Sequence, residues 1–336
     1  MRLFCVLCAV CWLLPANAAG PSKPVVMQVN IFLNKIYDVD TLDETYTMDG
    51  YLVAQWQSDE VAVDASKRTY ENAEVDALVA SGFWLPALEF INVVGSPEIG
   101  NKRLVVLENG LVIFNSRFLA TFTTEMDFRR FPFDQQNFVL QLEPFSYPLQ
   151  QLSFGSVEVS AENLSSEQPS EWRLQGYANA EISSVSYSHL IDTGTGAGSE
   201  QYSRITVSVV GERNPSYYLW TFFLPLSLII AASWAIFWLD NFSDRLQTSF
   251  TLMLTVVAYA FYTSNILPRL PYTTLIEQLV ITGYCSIFAA VLLVLYVQHQ
   301  SNKGHNAESL LRICRLLFPC GVCFVVCILS WRQISE

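Results

Sequence analysis

The chain has 336 residues, of which 51% are hydrophobic and 15% charged, with a formal net charge of −12. A water-soluble domain carries about 25% charge, so part of this chain suits a non-aqueous solvent. The acidic balance excludes a nucleic-acid partner, which needs a basic face. An acidic outer surface would enrich cations or simply keep the protein soluble. With three histidines, His189, His299 and His305, and no nucleophile elbow, metal pair or phosphate loop, the sequence offers no enzyme site. Neither cofactor nor metal is expected.

Residues 1–18 read as a signal peptide. Arg2 opens it, Leu3 to Leu14 form its apolar centre, and Ala16-Asn17-Ala18 is the small-residue cleavage site. Residues 19–213 then form an exported domain. It has no cysteine and so folds without disulfides. Asn109-Gly110, between Leu104 to Leu107 and Leu111 to Phe114, predicts a hairpin, because both residues tolerate positive φ. Tyr46 to Gln57, Phe138 to Leu142 and Arg204 to Val210 are further strand candidates, and a short helix is expected near Glu74 to Ser81. This pattern predicts an antiparallel, immunoglobulin-like β-sandwich. Thr193 to Ser199, with three glycines, is a flexible loop, either a lid or a hairpin tip.

Residues 214–336 predict an all-α domain of four transmembrane helices. The uncharged runs are Asn214 to Leu239, a stretch between Arg245 and Arg269, Gln278 to Gln298, and Leu316 to Trp331. The last has 16 residues, short of the roughly 20 needed, with Arg312, Arg315 and Arg332 placed to snorkel. Cys320, Cys323 and Cys327 share one face of it, and packing explains them better than a metal. The second run is unusually polar for lipid contact. At helical spacing Gln247, Thr251, Leu254, Ala258 and Phe261 form one stripe, polar near Arg245 and apolar beyond. That suits a wet pore with a dry constriction. Core packing is the competing reading of the same periodicity.

Met126-Asp127-Phe128-Arg129-Arg130-Phe131-Pro132-Phe133-Asp134-Gln135-Gln136 resembles the signature loop of pentameric ligand-gated ion channels. Glu125 and Phe138 stand where animal receptors have bridging cysteines, as in prokaryotic members. Arg213-Asn214-Pro215, the four helices and Pro268-Arg269-Leu270-Pro271 fit the same family. Phe242 to Pro271 is similar to the pore segment of the amine-gated enterobacterial channel. Trp84-Leu85-Pro86-Ala87 departs from the family's Trp-x-Pro-Asp at Ala87.

The resemblance implies a homopentamer in a bacterial inner membrane, with the sandwich in the periplasm. It implies a ring of Asp244 carboxylates at the cytoplasmic mouth, favouring monovalent cations. Leu254 and Phe261 would form rings that dewet and block conduction. The implied agonist cleft lies between subunits. Glu143, Phe145, Tyr187 and Tyr202 stand on one side, and Phe32, Tyr51, Arg103 and Asn115 on the other. Aromatic faces there attract an ammonium by about 0.5 to 2 kcal/mol each, so a small primary amine is the expected ligand. Gating by pH and a non-conducting receptor are the alternatives. The implied gating interface comprises Phe131, Pro132, Phe133, Asp134, Arg213, Pro268 and Pro271. An Asp134–Arg213 pair is expected there, whether for coupling or for structure.

Overall fold

The structure is a computed structural model that describes residues 21, 23–58, 68–144, 146–165, 171–187, 200–264, 270–304 and 306–335. The expected signal peptide, the glycine-rich loop Thr193 to Ser199, Phe145, Pro268, His189 and His305 lie outside the described residues.

The N-terminal half is a sandwich of two sheets. One has six strands in the order β3-β5-β6-β2-β1-β8. These are β1 (Val25–Asp40), β2 (Thr45–Gln57), β3 (Thr69–Glu71), β5 (Val93–Val106), β6 (Leu111–Thr123) and β8 (Leu152–Ser160). The other runs β10-β11-β7-β4, with β9 also paired to β11. Its strands are β4 (Leu88–Phe90), β7 (Gln135–Pro144), β9 (Trp172–Leu174), β10 (Asn179–Tyr187) and β11 (Glu200–Arg213). Helix α1 (Ala73–Ala80) lies between β3 and β4.

Strict alternation builds the core between the sheets. Met27, Val29 and Ile31 of β1 and Met48 and Ala54 of β2 are fully buried, and Phe138, Leu140, Ile205 and Val207 meet them from the second sheet. Tyr46 crosses the layers. Its ring meets Phe138 edge-on at 4.9 Å, and its hydroxyl donates to the Val139 carbonyl at 2.7 Å. The expected hairpin is present between β5 and β6, and Gly110 takes φ 81° at its tip. Gly50 serves close approach instead, since a Cβ there would lie 2.6 Å from the Phe32 carbonyl oxygen.

The helical half begins three residues after β11. Helix α2 (Ser216–Tyr218), a π turn (Leu219–Phe223), α3 (Leu224–Ala235) and a 3₁₀ turn (Ile236–Trp238) run on as one rod. Then come α4 (Phe242–Thr263), α5 (Leu275–Asn302) and α6 (Ala307–Ser335). Among the described residues three segments are long and apolar enough to cross a membrane: Ser216–Trp238, Leu275–Asn302 and Ala307–Ile328. Helix α4 has 22 residues, length enough, but its amide and hydroxyls dilute its apolar character.

Two expectations are amended. The fourth span is not confined to the uncharged run from Leu316, because its helix already starts at Ala307 and takes in Arg312 and Arg315. The third begins at Leu275 through a capping box that the sequence reading passed over. The Thr274 amide donates to Glu277 at 2.9 Å and the Glu277 amide to Thr274 Oγ1 at 3.3 Å. Helix α5 is the hub, packing against α3, α4 and α6. Cys320, Cys323 and Cys327 do not pack into this bundle, being exposed on its outer side.

Candidate functional site

Two clusters of the expected cleft residues lie on different sheets. On the first sheet Phe32 pairs with Tyr51 across β1 and β2, and Tyr51 with Arg117 across β2 and β6. Asn115 pairs with Arg103 across β6 and β5. The pairing puts these side chains on the outward face, with Phe32 44% exposed. Arg103 approaches Glu71 at 3.9 Å, and Arg117 grips Asp49 with two bonds of 2.8 and 2.9 Å.

The second sheet carries Glu143, Tyr187 and Tyr202. Glu143 sits on the outward side of β7, one step past the Leu142–Ile205 pair, yet is only 3% exposed. Arg204 and Tyr187 cover it. Arg204 Nε bonds the Glu143 carboxylate, and Arg204 Nη2 donates to the Tyr187 hydroxyl at 2.7 Å. That hydroxyl donates in turn to both Glu143 oxygens at 3.1 Å. Burial, and after it the Glu143 charge, raise the Tyr187 phenol above its ordinary value, so it stays a neutral donor. Tyr202 meets the Tyr187 ring at 5.8 Å and donates to Glu200 at 2.9 Å. Arg204 thus already neutralises the Glu143 carboxylate. Sequence reading missed Arg204. The available signal was an acid in a strand whose neighbours are mostly apolar, which demands a counter-charge.

Beneath the sandwich, Asp134 and Arg213 form a bidentate pair. Arg213 Nε reaches Asp134 Oδ1 at 2.9 Å and Nη2 reaches Oδ2 at 3.2 Å, with the two residues 3% and 4% exposed. Gln136 donates a further 2.7 Å bond to Asp134 Oδ2. Three rings enclose the guanidinium: Trp172 at 4.1 Å, Phe131 at 4.8 Å and Tyr218 at 5.5 Å. Burial pulls its affinity for the proton down, but the Asp134 carboxylate outweighs that and holds it above its ordinary value. Glu171 accepts from Arg213 Nη1 and, at 2.6 Å, from the Tyr218 hydroxyl. Phe131 is buried, whereas Phe133 is 52% exposed. Pro132 is also buried and Pro271 exposed.

The signature loop also touches the connection between α4 and α5. The Phe128 amide donates to the Tyr272 hydroxyl at 3.0 Å, and the Arg129 guanidinium lies 5.2 Å from the Tyr272 ring centre. Glu171, Trp172, Tyr218 and Tyr272 were not picked out from sequence, since no local pattern joins residues so far apart in the chain.

On α4 the six expected pore residues behave alike. Asp244, Gln247, Thr251, Leu254, Ala258 and Phe261, spaced 3, 4, 3, 4 and 3 apart, are all exposed, Leu254 at 71% and Phe261 at 72%. Arg245, Ser249 and Val256 are buried on the other side. Arg245 does not pair with Asp244 but turns inward to the carbonyls of Leu239 (2.7 Å) and Asp240 (3.4 Å). Asp244 accepts from Asn241 at 3.0 Å. The Thr251 hydroxyl donates to the Gln247 carbonyl, and the Thr255 hydroxyl to that of Thr251, each at 2.9 Å. Among the described residues no group of three His, Cys, Asp or Glu is arranged to hold a metal ion.

Comparison with known proteins agrees with this plan. The family described as neurotransmitter-gated ion-channel ligand binding domain matches residues 12–215. Over 288 residues the chain is 25% identical to gamma-aminobutyric acid receptor subunit beta-4 of Gallus gallus. The alignment covers 82% of this chain and 56% of that relative, so the chain spans little more than half the relative's length. The match takes in the whole sandwich as far as Pro215, where the first membrane-spanning rod begins. This chain belongs to the neurotransmitter-gated ion-channel family.

Proposed function

We propose that the chain is one subunit of a homopentameric, cation-conducting channel, opened by a small amine bound between neighbouring sandwiches. Its place is a bacterial inner membrane, with the sandwich in the periplasm. One observation carries the reading. The polar-to-apolar stripe of α4 is exposed along its whole length, while Arg245, Ser249 and Val256 on the opposite side of the same helix are buried. Five such stripes around an axis would give a hydrated mouth at Asp244 and Gln247 and apolar rings at Leu254 and Phe261. The half-clefts on separate sheets fit a site completed by a second copy.

Purified protein in a planar bilayer tests this. Stepwise currents on adding primary amines, with reversal potentials following the cation gradient, are the expected result. Binding without current would favour a receptor without a pore, and currents driven by pH alone would favour proton gating.

The Glu143–Arg204 pair supports a second reading of the ligand. A simple amine entering beside Arg204 places two cations against one buried carboxylate. A ligand bearing both an ammonium and a carboxylate balances both charges. The family relative, a receptor subunit for such an amino acid, is consistent with it. Currents evoked by amino acids at concentrations where matched monoamines are silent would decide for this ligand class.

A further inference from the structure

We propose that the π turn Leu219–Phe223 is the joint through which the sandwich holds α4, and that Tyr259 is the residue of α4 that positions its exposed stripe. The link itself is structural; its role in gating rests on the channel reading above.

Pro225 follows the turn and has no amide hydrogen, so it cannot donate to the carbonyl four residues before it. The backbone widens here, with the Leu224 amide donating to the Leu219 carbonyl five residues back. Into this widened turn α4 sends a donor, as the Tyr259 hydroxyl bonds the Phe222 carbonyl at 2.8 Å. Phe222 is 3% exposed, and its ring stacks with two tyrosines. Tyr262 of α4 lies at 5.5 Å and 23°, and Tyr218 at 5.8 Å and 26°. Tyr218 is in turn bonded to Glu171 at 2.6 Å and accepts from Arg213 at 3.2 Å. A continuous series of contacts therefore runs from Asp134 and Arg213 through Tyr218 and Phe222 to Tyr259 and Tyr262. These two tyrosines stand one residue after Ala258 and Phe261, so a small rotation at the joint turns the stripe directly. Helix spacing of about 100° per residue fixes that relation. If the rings were only core packing, removing one hydroxyl would not be felt at the stripe.

The test is a cycle read without ligand or current. In full-length protein with all eight cysteines replaced by serine, Ala258→Cys provides the one thiol, on the stripe. Its modification rate by a small charged thiol reagent is measured with Tyr218→Phe, Tyr259→Phe and both, after confirming assembly by size. The expected result is a change of about fivefold or more from Tyr218→Phe, whose hydroxyl lies between Glu171 and Arg213, and no further change from adding Tyr259→Phe. An unchanged rate in Tyr218→Phe, or single effects that multiply in the double variant, overturns the joint. Wild-type bilayer recordings separate the two claims. Silence there with a non-additive cycle removes the channel and keeps the joint, whereas normal currents with an additive cycle remove the joint alone.

Discussion

The two halves of the chain solve opposite problems. The sandwich closes on itself: both sheets bury their inner faces, and its buried acids, Asp134 and Glu143, each have an arginine. The helices do not. Of these three apolar spans, the one in α5 is about 50% buried, the first rod 22% and the one in α6 11%. Exposed charge and buried hydrocarbon specify a fold in water, so the sandwich is nearly complete as a single copy. The helices leave apolar surface uncovered, for lipid or further helices to meet. Stability should therefore reside in the first half and assembly-dependent behaviour in the second.

The largest expected effect tests the sandwich. Asp134→Ala leaves the buried guanidinium with only the half-exposed Glu171 for a counter-charge and should cost about 3 to 5 kcal/mol. Chemical denaturation beside a count of assembled protein checks it, and a loss below about 1 kcal/mol would mean the pair is not buried as described. Next comes Arg204→Gln, which leaves Glu143 with Tyr187 alone. Because Arg204 keeps 18% side-chain exposure, the expected loss is at the lower end, about 2 to 3 kcal/mol. The same variant should shift ligand preference towards monoamines in a competition assay.

Effects on the helical side should be small in stability and large in behaviour. Leu254→Ser should change folding stability by no more than about 0.5 kcal/mol, since the side chain is unpartnered in the subunit. Yet it should ease opening, seen as currents at lower ligand concentration. Gating unchanged by this substitution would place the constriction elsewhere. Asp244→Asn should leave folding intact and reduce the preference for cations, read from reversal potentials.

The smallest effect is alkaline. Burial holds the Tyr46 phenol well above its ordinary value of 10, so the folded state keeps a proton that the unfolded chain releases. That contribution is complete below pH 10 and fades as pH rises towards the folded value. Denaturation midpoints should fall as pH rises above about 10, and fall less in Tyr46→Phe.

Much of this division was legible in the sequence. The strands were visible where alternation was regular, as from Tyr46 to Gln57. Strand β1 was not singled out, because its pattern slips at a bulge between Leu33 and Lys35. The α4 stripe was legible because one helix carries all six positions. Arg204 was not, because it meets Glu143 through the pairing of strands 61 residues apart. The same holds for Tyr272, whose hydroxyl reaches Phe128 across 144 positions. Periodicity shows which way a residue faces within its own element, and only the packing of elements shows whom it meets.

The threonines of α4 have one more consequence. A hydroxyl owns a single hydrogen and two lone pairs. Thr251 and Thr255 each spend that hydrogen on the backbone one turn earlier. What remains for anything travelling beside the helix is electron-rich oxygen. Were this stripe to line an ion path, as proposed above, these two oxygens would suit a sodium or potassium ion better than chloride, and discrimination by charge sign would begin in the wall itself, before any carboxylate is counted.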